Sequence, residues 1–109
     1  MRIAAFAAAV GLILCVMGLS AGDRAKPRTH TVTIEGMRFQ PETLTIARGD
    51  SVAWVNKDVV PHTATSKAGS FDSQIIQADK SWKVTARKRG DFAYICTFHP
   101  TMKAILHVK

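Results

Sequence analysis

The chain has 109 residues, of which 47% are apolar, and its 15 Lys/Arg outnumber 8 Asp/Glu for a formal net charge of +7. That length has room for one domain. The positive residues are not interleaved with aromatic ones, so the charge offers no stacking platform for nucleic acid.

Met1-Arg2 is a minimal positive start, and Ile3 to Leu19 is apolar or glycine throughout. The small residues Gly18, Ser20, Ala21 and Gly22 follow, and then the polar run Asp23 to Arg28. This order predicts a signal peptide over residues 1–22 and a periplasmic protein. A retained anchor is the alternative, but the small-residue cluster would have no purpose there. A lipid attachment through Cys15 is disfavoured by the bulky Leu14 before it. Residues 23–29 read as a flexible tether and residues 30–109 as the domain. After cleavage 14 Lys/Arg face 8 Asp/Glu, and Cys96 is the one remaining thiol. An unpaired thiol in an oxidising compartment must be buried or coordinated.

From His30 the pattern takes a period of two, as half-buried strands do. Thr31–Ile34, Glu42–Ala47 and Ser51–Asn56 alternate, separated by a bend at Met37–Pro41 and by the turn Arg48-Gly49-Asp50. Lys57–Pro61 turns the chain into His62, which is expected to open another strand. Ala68-Gly69 is expected at a loop tip, and Gln74–Lys80 fits either a helical turn or a loop. Ser81–Ala86, Asp91–Cys96 and Ala104–Val108 are strand-like, and Phe92, Tyr94 and Cys96 share a face. Short strands at turn intervals of about ten residues predict an all-β, antiparallel sandwich or barrel. No second cysteine is left for the inter-sheet disulfide of an immunoglobulin domain.

After Cys96 the spacing is Cys-x2-His-x2-Met, through His99 and Met102. A thiolate, an imidazole and a thioether suit copper better than a hard cation. The missing imidazole is sought among three histidines. His30 lies beside the tether and His107 near the C-terminus, and both read as ordinary edge residues. His62 follows the rigid Pro61 in a turn that can share a pole of the sandwich with the Cys96 loop. His62, Cys96 and His99 with an axial Met102 form the donor set of an electron-transfer copper site.

These residues resemble the cupredoxins, the small blue copper proteins. The matching runs are Phe39-x-Pro41-x-x-Leu44-x-Ile46-x-x-Gly49-Asp50-x-Val52-x-Trp54-x-Asn56, Pro61-His62-Thr63, Phe71-Asp72-Ser73, Gly90-x-Phe92-x-Tyr94-x-Cys96 and His99-Pro100-x-Met102. The short His-to-Met spacing and Val60-Pro61-His62 look like the amicyanin type. The resemblance implies an eight-stranded, antiparallel Greek-key β-sandwich, one type 1 copper cycling between Cu(I) and Cu(II), and a surface-facing His99 edge as the electron port. An apolar collar is expected from Pro61, Pro100 and Val59 or Val60. It further suggests redox partners such as an amine dehydrogenase and a c-type cytochrome for a monomeric carrier, and the net positive charge suits acidic docking surfaces on those partners.

Two positions depart from that pattern. Thr63 stands where Asn is usual and is expected to bond Thr97, tying the two ligand segments together. Phe98 stands where amicyanin has proline, so its N–H is a candidate donor to the Cys96 sulfur. A copper trafficking or storage protein is the competing function, but the mature chain has only Met37 and Met102 to offer as thioethers. No Ser-His-Asp or paired-carboxylate set points to an enzyme, and Met102 leaves no open copper position.

Overall fold

The computed structural model describes residues 26–68 and 70–109, so the expected signal peptide, the start of the tether and Gly69 lie outside the described residues. Eight strands follow in order: β1 (Thr29–Ile34), β2 (Phe39–Gln40), β3 (Thr43–Ile46), β4 (Ser51–Asn56), β5 (Thr65–Ser66), β6 (Ser81–Thr85), β7 (Gly90–Cys96) and β8 (His99–Val108). They form two four-stranded sheets, β2-β1-β4-β6 and β3-β8-β7-β5. No helix occurs among the described residues.

This is the expected β-sandwich, with two pairings that period-two patterning could not reveal. β1 runs parallel to β4, and β3 runs parallel to β8, while the other neighbours are antiparallel. Strands β3 and β4 are consecutive in the chain but belong to opposite sheets, so the chain crosses the sandwich between them. Alternation tells which face a side chain takes and leaves strand direction open.

The core follows the alternation. On β4, Val52, Trp54 and Asn56 are buried, with less buried residues between them. Trp54 is fully buried, with ring centroids 5.2 Å from Phe71, 5.6 Å from Trp82 and 5.5 Å from Tyr94. Phe39 meets Tyr94 edge to face at 4.8 Å. Such contacts each add about 0.5–1.5 kcal/mol beyond simple burial. Burial also pushes the Tyr94 phenol up to about 12, so it stays neutral in the core.

Strand directions define two poles. β4 and β7 end, and β8 begins, at the pole that holds His62, Cys96 and His99. β1, β4 and β7 begin, and β3, β6 and β8 end, at the opposite pole.

Three expectations change in detail. His62 opens no regular strand; it forms an isolated bridge with Ile76, and β5 starts at Thr65. That bridge anchors the undecided 74–80 segment, which holds no helix but a hydrogen-bonded turn at 78–79, closed by the Lys80 N–H on the Gln77 carbonyl at 3.0 Å. The loop after Cys96 is shorter than its spacing suggests, because only Thr97 and Phe98 form a turn and His99 already pairs with Cys96.

Candidate metal centre

The β7–β8 hairpin changes register next to Cys96. Ile95 pairs with Lys103, yet Cys96 pairs with His99. Continued unbroken, the ladder would set Cys96 opposite Met102. The irregularity leaves residues 100–102 outside the pairing and places His99 beside the thiol instead. A bulge of this kind re-aims side chains. Cys96 is fully buried and free, Met102 is buried on the same inward face, and His99 is half-buried.

His62 arrives from the other side of the pole. Its N–H reaches the Ile76 carbonyl at 3.2 Å, and its carbonyl accepts the Ile76 N–H at 2.7 Å. The ring is fully buried, with Nδ1 3.6 Å from the Cys96 Sγ. The His99 Nδ1 lies 3.7 Å from the same sulfur. Ligand atoms of His62, Cys96 and His99 all lie within 4.8 Å of one another. An ion about 2.0 Å from a nitrogen and about 2.3 Å from a sulfur, with bonds about 120° apart, spaces the two atoms by about 3.7 Å. The observed separations therefore fit one ion between the three donors, and a soft sulfur with two imidazoles suits copper.

Asp58 orients His62, a role that the sequence did not disclose. Its Oδ2 lies 2.8 Å from the His62 Nε2. The same carboxylate accepts the N–H groups of Gly36 at 2.8 Å and Met37 at 3.0 Å. Both residues have positive φ, 65° and 59°. Burial pulls the Asp58 carboxyl upward, but the Met37 and Gly36 N–H groups and the His62 ring outweigh it and hold it below its ordinary value. An Nε2–H given to this carboxylate leaves the Nδ1 lone pair facing the thiol. Asn56 sets the turn between them, accepting the Asp58 N–H at 2.9 Å and donating to the Val60 and Ile76 carbonyls. An acidic residue four before a ligand histidine was the available signal, but a turn can aim such a side chain anywhere.

The expected tie through Thr63 is present. The Thr63 Oγ1 accepts the Thr97 N–H at 2.9 Å and lies 3.2 Å from the Thr97 Oγ1. Thr65 adds a hydroxyl bond to the same oxygen at 2.9 Å. The expectation for Phe98 fails. The backbone N–H that reaches the Cys96 sulfur is that of Thr63, at 3.4 Å. Phe98 sits in the two-residue turn and is 48% exposed. His30 and His107 stay outside the cluster, paired with Asp50 and Asp91.

The profile of the cupredoxin-like domain matches residues 6–108. The chain belongs to the cupredoxin-like family. It is 31% identical to amicyanin-alpha of Methylorubrum extorquens over 94% of this chain and 95% of that protein. It is 34% identical to amicyanin of Paracoccus versutus over 66% of this chain and 58% of that one. Among solved structures, the Cu(I) form of an amicyanin mutant superposes with a TM-score of 0.71 at 26% identity, covering 82% of this chain and 89% of that one. A copper-containing nitrite reductase from Thermus scotoductus also superposes at 0.71 with 30% identity, but the match spans only 23% of it. Amicyanin-like cupredoxins hold one type 1 copper and are electron carriers, not enzymes.

Proposed function

We propose that this cupredoxin-like chain is an exported carrier of single electrons between redox proteins, with His62, Cys96, His99 and Met102 as its copper ligands. The observation that carries the assignment is the buried cluster in which the donor atoms of His62, Cys96 and His99 lie within 4.8 Å of one another. Bound copper supplies a one-electron Cu(I)/Cu(II) couple.

The protein's part is to hold donors still and to set their charge. Bridging to Ile76, the Asp58 contact and the Thr63–Thr97 tie restrain His62 and Cys96 from two directions. The Thr63 N–H withdraws charge from the sulfur, which favours the reduced state. The half-buried His99 offers a path for the electron to the surface. Its chain neighbours Phe98 and Pro100 are exposed, as are Val59, Val60 and Pro61 before His62. These residues give the ligand pole an apolar docking rim, suited to brief contacts with partners such as a c-type cytochrome or an amine dehydrogenase. The chain works as a monomer in the periplasm, delivered by the 1–22 signal peptide.

Adding Cu(II) to residues 23–109 should give an intense blue colour that bleaches with reductant and returns on oxidation. Cys96→Ser should abolish it. A colourless complex with Cu(I) alone would instead support copper trafficking, and no binding of either ion would overturn the ligand assignment.

A further inference from the structure

The sequence scatters its positive charge, and the fold collects it at the pole opposite the metal ligands. A depression of about 760 Å³ there is lined by Lys26, Arg28, Arg48, Arg89 and Lys109. Arg87 and Lys88 join them in the β6–β7 turn, between Thr85, paired with Ser51, and Gly90, paired with Val108. All seven side chains are exposed. The carboxylates at this end are Asp50, held by His30 at 2.9 Å, and Asp91, held by His107 at 2.6 Å. Seven cations against two carboxylates leave a surplus of five. Residues 26–109 hold 13 Lys/Arg and seven Asp/Glu, a surplus of six, so the rest of the domain is nearly neutral.

We propose that this pole docks on anionic phospholipid headgroups and points the copper end away from the bilayer. Three observations favour a membrane over a protein occupant. The described chain enters the domain at this pole through Lys26 and Arg28, and the apolar stretch Ile3–Leu19 ends only a few residues earlier. On the export route proposed above, on which this inference rests, this end is the one nearest the bilayer. A redox partner seated here would be separated from the ligands by the ten residues of β8, about 30 Å at strand rise. The lining is also charged and broad, without the aromatic anchors that centre a specific protein interface. Clusters of four to eight Lys/Arg are enough to hold a surface against an anionic leaflet.

The test uses residues 23–109, which contain every described strand and the whole described core, and it needs no copper. Co-sedimentation is measured with phosphatidylcholine vesicles, with and without phosphatidylglycerol. The protein should bind only the anionic vesicles and be released by about 0.5 M salt, where the screening length falls to about 4 Å. A triple variant Arg48→Gln, Arg89→Gln, Lys109→Gln should bind about tenfold more weakly or worse. The variant Lys57→Gln, Lys80→Gln, Lys103→Gln loses the same charge elsewhere and should bind within about twofold of the parent. Melting curves establish that both variants are folded. Failure to bind anionic vesicles, equal binding to neutral ones, or equal weakening by the two variants would overturn the proposal.

Discussion

Thr63 gives its N–H to the Cys96 sulfur and its hydroxyl oxygen to the Thr97 N–H, so one residue serves both the donor and its backbone. Replacing it separates the two roles, because the backbone donor survives any substitution except proline. Thr63→Ala should therefore keep the blue colour but lower the melting temperature, at a cost of about 1 kcal/mol for the lost hydroxyl bond. Thr63→Ser should restore it, and a melting temperature unchanged in the alanine variant would refute the tie. The Thr97 partner was legible from the cupredoxin resemblance, in which the side chain after the first histidine ties the two loops together. The sulfur's donor was misassigned to Phe98 because the direction of an N–H in a tight turn depends on dihedral angles that spacing does not encode.

At the scale of elements, the ligand pole is held by short segments rather than long strands. The β1–β2 turn offers the Gly36 and Met37 N–H groups to Asp58, and Asp58 holds the His62 ring. Asp58→Ala should weaken copper binding about 10–100-fold, as loss of a carboxylate partner to a ligand histidine does. The same change should raise the reduction potential, because a less basic imidazole stabilises the oxidised ion less. Metal competition and voltammetry would measure both, and an unchanged affinity would dismiss the role. Period-two patterning located nearly every long strand, since burial on one face dictates it. It could not locate this contact, which depends on two successive residues with positive φ, one of them a methionine. Nor could it show the register change at Cys96, where the pairing skips residues 100–102.

Across the whole molecule, distant parts of the chain meet at the basic pole, which is why its charge reads as scattered in the sequence. Asp50 organises that end. It accepts the Arg28 N–H at 3.0 Å and the Ala47 N–H at 3.2 Å and pairs with His30. The His30 hydrogen bond and the backbone donors hold its carboxyl below the ordinary 3.8 against a smaller effect of burial. A depressed carboxyl contributes stability that is present above its unfolded value and is lost as pH falls through the folded one. Asp50→Asn should therefore melt below the parent at neutral pH, with the gap closing as pH is lowered past 3.8. A gap constant down to acid would mean that the carboxylate's charge plays no part.

The position of β8 has a consequence for the order in which the protein is made. It lies inside its sheet between β3 and β7, and it carries both His99 and Met102. A chain emerging from its N-terminus can align β1 with β4 early, but the second sheet has a gap until β8 arrives. Two of the four proposed ligands come with that strand. A complete site built from the four proposed ligands therefore cannot form before β8 has docked between β3 and β7.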